Sequence, residues 1–150
     1  MKALKVKDDI HWIGANVSTN DLFEGIWPIP DGVTINSYVV KGDKVAIIDL
    51  IRDWSGASSY FLDELKSIGI SMKDVDYIVL NHIEPDHTGD IKTLLKMSDN
   101  AQIVTTKKGK PLVEQFYGCT KEEDIRVVGT GDSLDLGGGK NLNFYEIPNV

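Results

Sequence analysis

Cysteine is nearly absent from these 150 residues, and the single Cys119 excludes both an intramolecular disulfide and a cysteine-rich zinc site. Positive charge is also short: 16 Lys and Arg face 23 Asp and Glu, for a net charge of −7. The densest basic stretch, residues 107–110, is too short to follow a phosphate backbone, and acidic residues come after it at Glu114 and across 122–124. Nucleic acid is therefore not an expected partner. Long apolar runs are missing as well. No segment has the length of a membrane span, and the opening MKALKVKDDI lacks the apolar core of a signal peptide. A reducing cytoplasm is the expected compartment, which leaves the sequon Asn16-Val17-Ser18 without meaning for glycosylation. Tryptophan is missing after Trp54, but other aromatic and β-branched residues are spread along the chain, so disorder is excluded. Repeats and low-complexity segments are absent too.

What is present reads as one domain of alternating elements. Residues 4–7 and 10–14 suggest short strands around an Asp8-Asp9 turn. Residues 20–32, with Pro28, Pro30 and Asp31-Gly32, suggest a loop. Residues 35–41 and 44–49 form the clearest hairpin, across Gly42-Asp43. From Ser58 the period turns helical, with Tyr60, Phe61, Leu62, Leu65 and Ile68 recurring before a Gly69 stop. Strands are expected at 77–80, 102–105, 125–128, 133–136 and 142–147, and helices from about Asp86 and from Lys108 to Tyr117. Gly129, Gly131 and residues 137–139 fall between strands and read as turns, since none opens a helix as a phosphate-binding loop would. Hairpins at both ends with strand–helix alternation between them indicate an α/β sandwich with a mixed sheet.

One segment carries chemistry. The apolar strand at 77–80 runs into His82, Glu84, Asp86 and His87, and a helix begins there. Such strand-to-helix junctions are where α/β folds gather their sites. In extended backbone His82 and Glu84 project to one side. Pro85 then turns the chain, so that Asp86 and His87 can face a neighbouring ion. A pair of ions about 3.5–4 Å apart suits this pattern better than one. Two imidazoles with two carboxylates form a hard donor set that favours iron or manganese over zinc. Against this stand a surface His-x-Glu pair and an Asp86 that merely caps the helix. Four ligand-type residues in six positions weigh for the metal.

The pattern His82-x-Glu84-x-Asp86-His87-x-Gly89 resembles the ligand motif of the metallo-β-lactamase-like domain of flavodiiron proteins. Hydrolases of that superfamily carry His-x-His-x-Asp-His, and Glu84 stands where their second histidine would. Ala46-Ile47-Ile48-Asp49 resembles the superfamily's strand ending in an aspartate beside the metals, and Gly129-Thr130-Gly131-Asp132-Ser133-Leu134-Asp135-Leu136 resembles its glycine-aspartate hairpin. The resemblance implies an αββα sandwich with two iron ions, His82 and Glu84 serving one and Asp86 and His87 the other, and Asp49 hydrogen-bonding their loop. It further implies reduction of dioxygen to water or nitric oxide to nitrous oxide. Electrons would come from FMN in a flavodoxin-like domain, often of the partner subunit in a head-to-tail dimer, and from rubredoxin or a similar donor.

The family's further histidines, bridging carboxylate and flavodoxin-like domain have no counterpart in residues 1–150. The chain is thus expected to be an N-terminal portion of the domain, interrupted at Pro148-Asn149-Val150, prone to self-association and without turnover by itself. Two other classes stay open: a dinuclear zinc metallohydrolase, and a non-catalytic module that binds metal or a partner. His11, Trp27 and Trp54 read as packing residues, and Cys119 as a small buried hydrophobe.

Overall fold

The computed structural model describes residues 1–23, 25–54, 56–118 and 124–147. In chain order its elements begin with β1 (Leu4–Lys7), β2 (Ile10–Trp12), β3 (Ala15–Val17), β4 (Leu22–Phe23), β5 (Trp27–Pro28), β6 (Val33–Ile35), β7 (Tyr38–Lys41) and β8 (Val45–Ile48). Then follow α1 (Ala57–Ser67), a 3-10 turn (Met72–Asp74), β9 (Tyr77–Val79), α2 (Pro85–Thr88), α3 (Ile91–Met97), β10 (Gln102–Thr106) and α4 (Gly109–Tyr117). The last three are β11 (Ile125–Val128), β12 (Ser133–Gly137) and β13 (Lys140–Asn143).

Seven strands form one mixed sheet in the order β1-β2-β7-β8-β9-β10-β11. The first four are antiparallel neighbours, and β8 to β11 run parallel. Parallel neighbours need crossover connections, which is where the helical periods of the sequence fall. Successive strand residues point to opposite faces, and the central strands are apolar at both. Val45, Ile47, Ile78 and Ile103 join Phe61 and Leu65 of α1, Ile91 and Leu94 of α3 and Val113 of α4 in one core. Ala46, Tyr77, Val79 and Val104 join Leu134 and Leu136 of β12 in a second. Each fully buried Ile, Leu or Phe contributes about 1.5–3 kcal/mol, so the helix-side core dominates.

Several expected elements are divided. The strand expected at 10–14 ends at Trp12 and the one expected at 35–41 is divided between β6 and β7, because β2 pairs with β7 while β3 pairs with β6 in a separate ladder. At the bend Gly14 lies against the Ile35 carbonyl, leaving no room for a Cβ. Ser37, fully buried, accepts from Ile13 N–H at its carbonyl and donates its hydroxyl to Asp49 O. The turn at Gly42-Asp43 extends to Lys44, whose N–H goes to Leu136 O. The loop at 20–32 contains the small β4–β5 hairpin. The helix from Asp86 is broken at Gly89-Asp90, where the Asp90 N–H turns to Ile51 O and its carboxylate to the Ser58 hydroxyl. Finally, the strand at 142–147 stops at Asn143. Phe144 and Glu146 bond instead to Asp132 O and Thr130 Oγ1, following the turn at 129–132. Cys119, Glu122 and residues 148–150 lie outside the described residues.

Candidate metal centre

The carboxyl ends of β8 and β9 lie side by side, and the next residues of each strand lock the two together. Asp49, just past β8, takes a left-handed backbone (φ 57°). Aspartate enters that conformation more readily than most side chains, and its hydrogen bonds hold it there. Here its N–H donates to Val79 O at 2.8 Å, and its two carboxylate oxygens accept from the Asn81 backbone N–H (2.8 Å) and side-chain amide (3.0 Å). The buried Asp49 thus anchors the start of the segment that holds His82 and Glu84.

Glu84 itself is extended (φ −82°, ψ 147°), as the residue before a proline prefers. Pro85 occupies the first turn of α2, where a missing N–H costs nothing. The short helix carries Asp86 and His87 back over the strand end. Their position is fixed from below by Leu50 N–H, which donates to His87 O at 2.9 Å.

Ligand atoms of His82, Asp86 and His87 come within 4.8 Å of one another. His87 Nε2 is 3.4 Å from Asp86 Oδ2, and its Nδ1 is 3.8 Å from Asp49 Oδ2. The two imidazoles lie with centroids 4.4 Å apart. Glu84 Oε2 is 3.9 Å from His82 Nε2, but its side chain is 68% exposed and stands at the rim. The tight group therefore takes one residue from before the turn and two from after it. Asp86 Oδ1 and His87 Nδ1 are buried without a hydrogen-bond partner. A buried carboxylate oxygen facing no donor is costly unless a cation compensates it. The donor set is accordingly suited to a divalent metal.

A family model described as ODP family beta lactamase matches residues 33–149. The flavo-diiron protein FprA2 of Clostridium acetobutylicum is 32% identical over 149 residues, covering 99% of this chain and 36% of that protein. The anaerobic nitric oxide reductase flavorubredoxin of Vibrio vulnificus is 32% identical, over 97% of this chain and 29% of its own length. Among solved structures, the rubredoxin oxygen:oxidoreductase of Desulfovibrio gigas superposes with a TM-score of 0.85 at 30% identity, over 97% of this chain and 35% of that one. This chain belongs to the flavodiiron protein family. Its mixed sheet and single helical layer match the metallo-β-lactamase-like domain of these oxidoreductases, and it spans about a third of their length. Membership sets the flavodiiron reading above the zinc-hydrolase one. Among the described residues no helix is long and apolar enough to cross a membrane.

In this flavodiiron chain His11 lies on β2, two strands from β8, opposite Val39. Trp54 stacks on Phe23 at 5.8 Å and donates its indole N–H to Asp21 at 3.2 Å, while Trp27 is exposed. Sequence reasoning overlooked Asn81, the partner of Asp49, and Tyr117, whose hydroxyl meets Thr88 Oγ1 at 2.5 Å. Asn81 could have been noticed as a polar residue directly after an apolar strand. Tyr117 left no signal, being 29 residues from its partner. Gly89 matters through space, not φ. A Cβ there would lie 2.7 Å from Pro85 O and 3.1 Å from the Arg52 side chain. Gly89→Ala is expected to destabilise the protein by about 1–2 kcal/mol, read as a lower urea midpoint with an unchanged slope.

Proposed function

We propose that this chain forms part of the diiron centre of a reductase of dioxygen or nitric oxide, with His82, Glu84, Asp86 and His87 as its iron ligands. The observation that carries this reading is the buried, unpartnered pair Asp86 Oδ1 and His87 Nδ1, grouped with His82 at the carboxyl ends of parallel strands. Following the family pattern, His82 and Glu84 serve one ion and Asp86 and His87 the other. Asp49 orients the loop through Asn81 and backs the His87 imidazole. When bound, the iron pair would supply electrons to a diatomic ligand and polarise it. The chain's own part is to hold the donors on two strand ends and to keep Asp86 and His87 out of bulk water.

Both substrates have support in the relatives' names, one a nitric oxide reductase and one an oxygen oxidoreductase. In this reading the remaining iron ligands and the FMN-binding flavodoxin-like domain belong to the two thirds of the relatives' length that this chain does not span. Rubredoxin or a similar carrier is the electron donor, and the working unit is a head-to-tail dimer in the cytoplasm. The 150 residues alone bind metal without turning over.

Anaerobic calorimetric titration of the chain with iron(II) tests the ligand assignment. Glu84→Ala should weaken uptake by about tenfold, or 1.4 kcal/mol, because its exposed carboxylate exchanges with water. His11→Ala should bind as the parent does. Equal affinity in all three proteins would remove Glu84 from the ligand set.

A further inference from the structure

We propose that Tyr117 is a positioning residue for the ligand turn, acting on it through Thr88. The inference rests on the proposed metal reading only for its consequence, since the relay itself is a matter of hydrogen-bond geometry.

Thr88 closes α2 and is fully buried. Its Oγ1 donates to Glu84 O at 2.8 Å. A threonine hydroxyl has one hydrogen to give. With that hydrogen committed to Glu84, the Tyr117 hydroxyl must be the donor in the 2.5 Å contact with Thr88 Oγ1. Direction is therefore defined along the whole relay: Tyr117 gives to Thr88, and Thr88 gives to Glu84. The Glu84 carbonyl also accepts the His87 N–H at 3.0 Å. One carbonyl thus ties together a proposed ligand before the turn, a proposed ligand after it and the last turn of α4.

A threonine bonding four residues back is common by itself. What sets this one apart is the remote donor. Tyr117 is the final residue of α4, held there as Gly118 takes a left-handed conformation (φ 65°) and donates to Glu114 O. Its ring packs against the helix-side core, so the hydroxyl is carried by a rigid element. Without that donor the Thr88 hydroxyl keeps its bond to the Glu84 carbonyl but loses the partner that fixes its aim, so the hold on the peptide between Glu84 and Pro85 loosens. Glu84 is the exposed member of the proposed ligand set and has no packing of its own to hold it, so it depends most on its backbone being fixed.

The test uses the full chain and two readouts. Amide hydrogen exchange of His87 should quicken about fivefold in Tyr117→Phe and in Thr88→Val, with Ile78 and Phe61 unchanged as core references. The double variant should be no worse than either single one, because both remove the same relay. Thr88→Ser, which keeps the hydroxyl, should restore the parent's exchange. Iron(II) affinity should fall in parallel, by about fivefold. Faster His87 exchange in the variants, with a parent that takes up no iron, would sink the metal reading and leave the relay standing. Unchanged His87 exchange in Tyr117→Phe, or an equal rise at Ile78 and Phe61, overturns the proposal whatever the iron affinity.

Discussion

Replacing His87 by alanine is expected to abolish iron(II) uptake, a loss of at least about a hundredfold, while the fold's stability moves by about 1 kcal/mol or less. The two effects separate because the side chain and the backbone of His87 have different tasks. Its imidazole stands 3.4 Å from Asp86, 3.8 Å from Asp49 and 4.4 Å, centroid to centroid, from the His82 ring, so its loss leaves three polar groups facing a gap. A hundredfold change corresponds to about 2.8 kcal/mol, a modest figure for deleting a nitrogen donor from a site with few ligands. Its carbonyl, which accepts the Leu50 N–H, and its N–H, which donates to Glu84 O, are untouched by the substitution. Removing a buried nitrogen that has no partner relieves about 1–3 kcal/mol of desolvation, roughly offsetting the packing lost with the ring. Calorimetry and urea unfolding on the same sample check both parts. Intact iron uptake would end the ligand assignment of His87. A collapse of stability would show that the ring is a structural prop.

Local chemistry made the site legible and hid its support. His82, Glu84, Asp86 and His87 stand within six positions, and Pro85 between them announces the change of direction, so the approach of His82 to Asp86 and His87 could be reasoned from strand and helix geometry. The exposed stance of Glu84 could not, because it depends on how far Pro85 swings the helix start over β9. The parallel half of the sheet was readable from the apolar runs at 45–48, 77–80 and 102–105, each followed by a helical period. The kink at Ser37 was not. Its cause is a serine hydroxyl reaching Asp49 O across the sheet end, and the polar pair Asn36-Ser37 does not by itself tell a break from a solvent-facing step within one strand. The division of the helix at Gly89-Asp90 has a similar origin. Long-range partners, Ile51 O and the Ser58 hydroxyl, outcompete helix continuation there. The breaks at Ser37 and at Gly89-Asp90 both turn on polar contacts between residues far apart in sequence, which hydrophobic periodicity does not report.

The stability of the chain is expected to fall as pH rises from about 4.5 to about 7, and Glu64→Gln should remove much of that fall. Glu64 sits on the inner face of α1, only 1% exposed, and its Oε2 is buried without a partner. Burial pushes its carboxyl up from 4.5 to about 7, against the weaker pull of the N-terminal ammonium in the opposite direction. The sign follows from proton counting. Below about 4.5 the group is protonated whether the chain is folded or not, and burial carries no ionic penalty. Between 4.5 and 7 the folded state holds a proton that the unfolded state has released, so unfolding becomes easier as pH increases. Above about 7 both states are ionised and the penalty is complete. The full shift would amount to roughly 3 kcal/mol, and screening by solvent and the nearby ammonium reduces the expected difference to about 2 kcal/mol. Urea midpoints of the parent and Glu64→Gln, measured at pH 5 and pH 8, isolate this group from the other carboxylates. The variant should exceed the parent only slightly at pH 5 and clearly at pH 8. A constant gap between the two proteins at both pH values would mean that Glu64 is ionised throughout, with a counter-charge or water inside the fold to hold it.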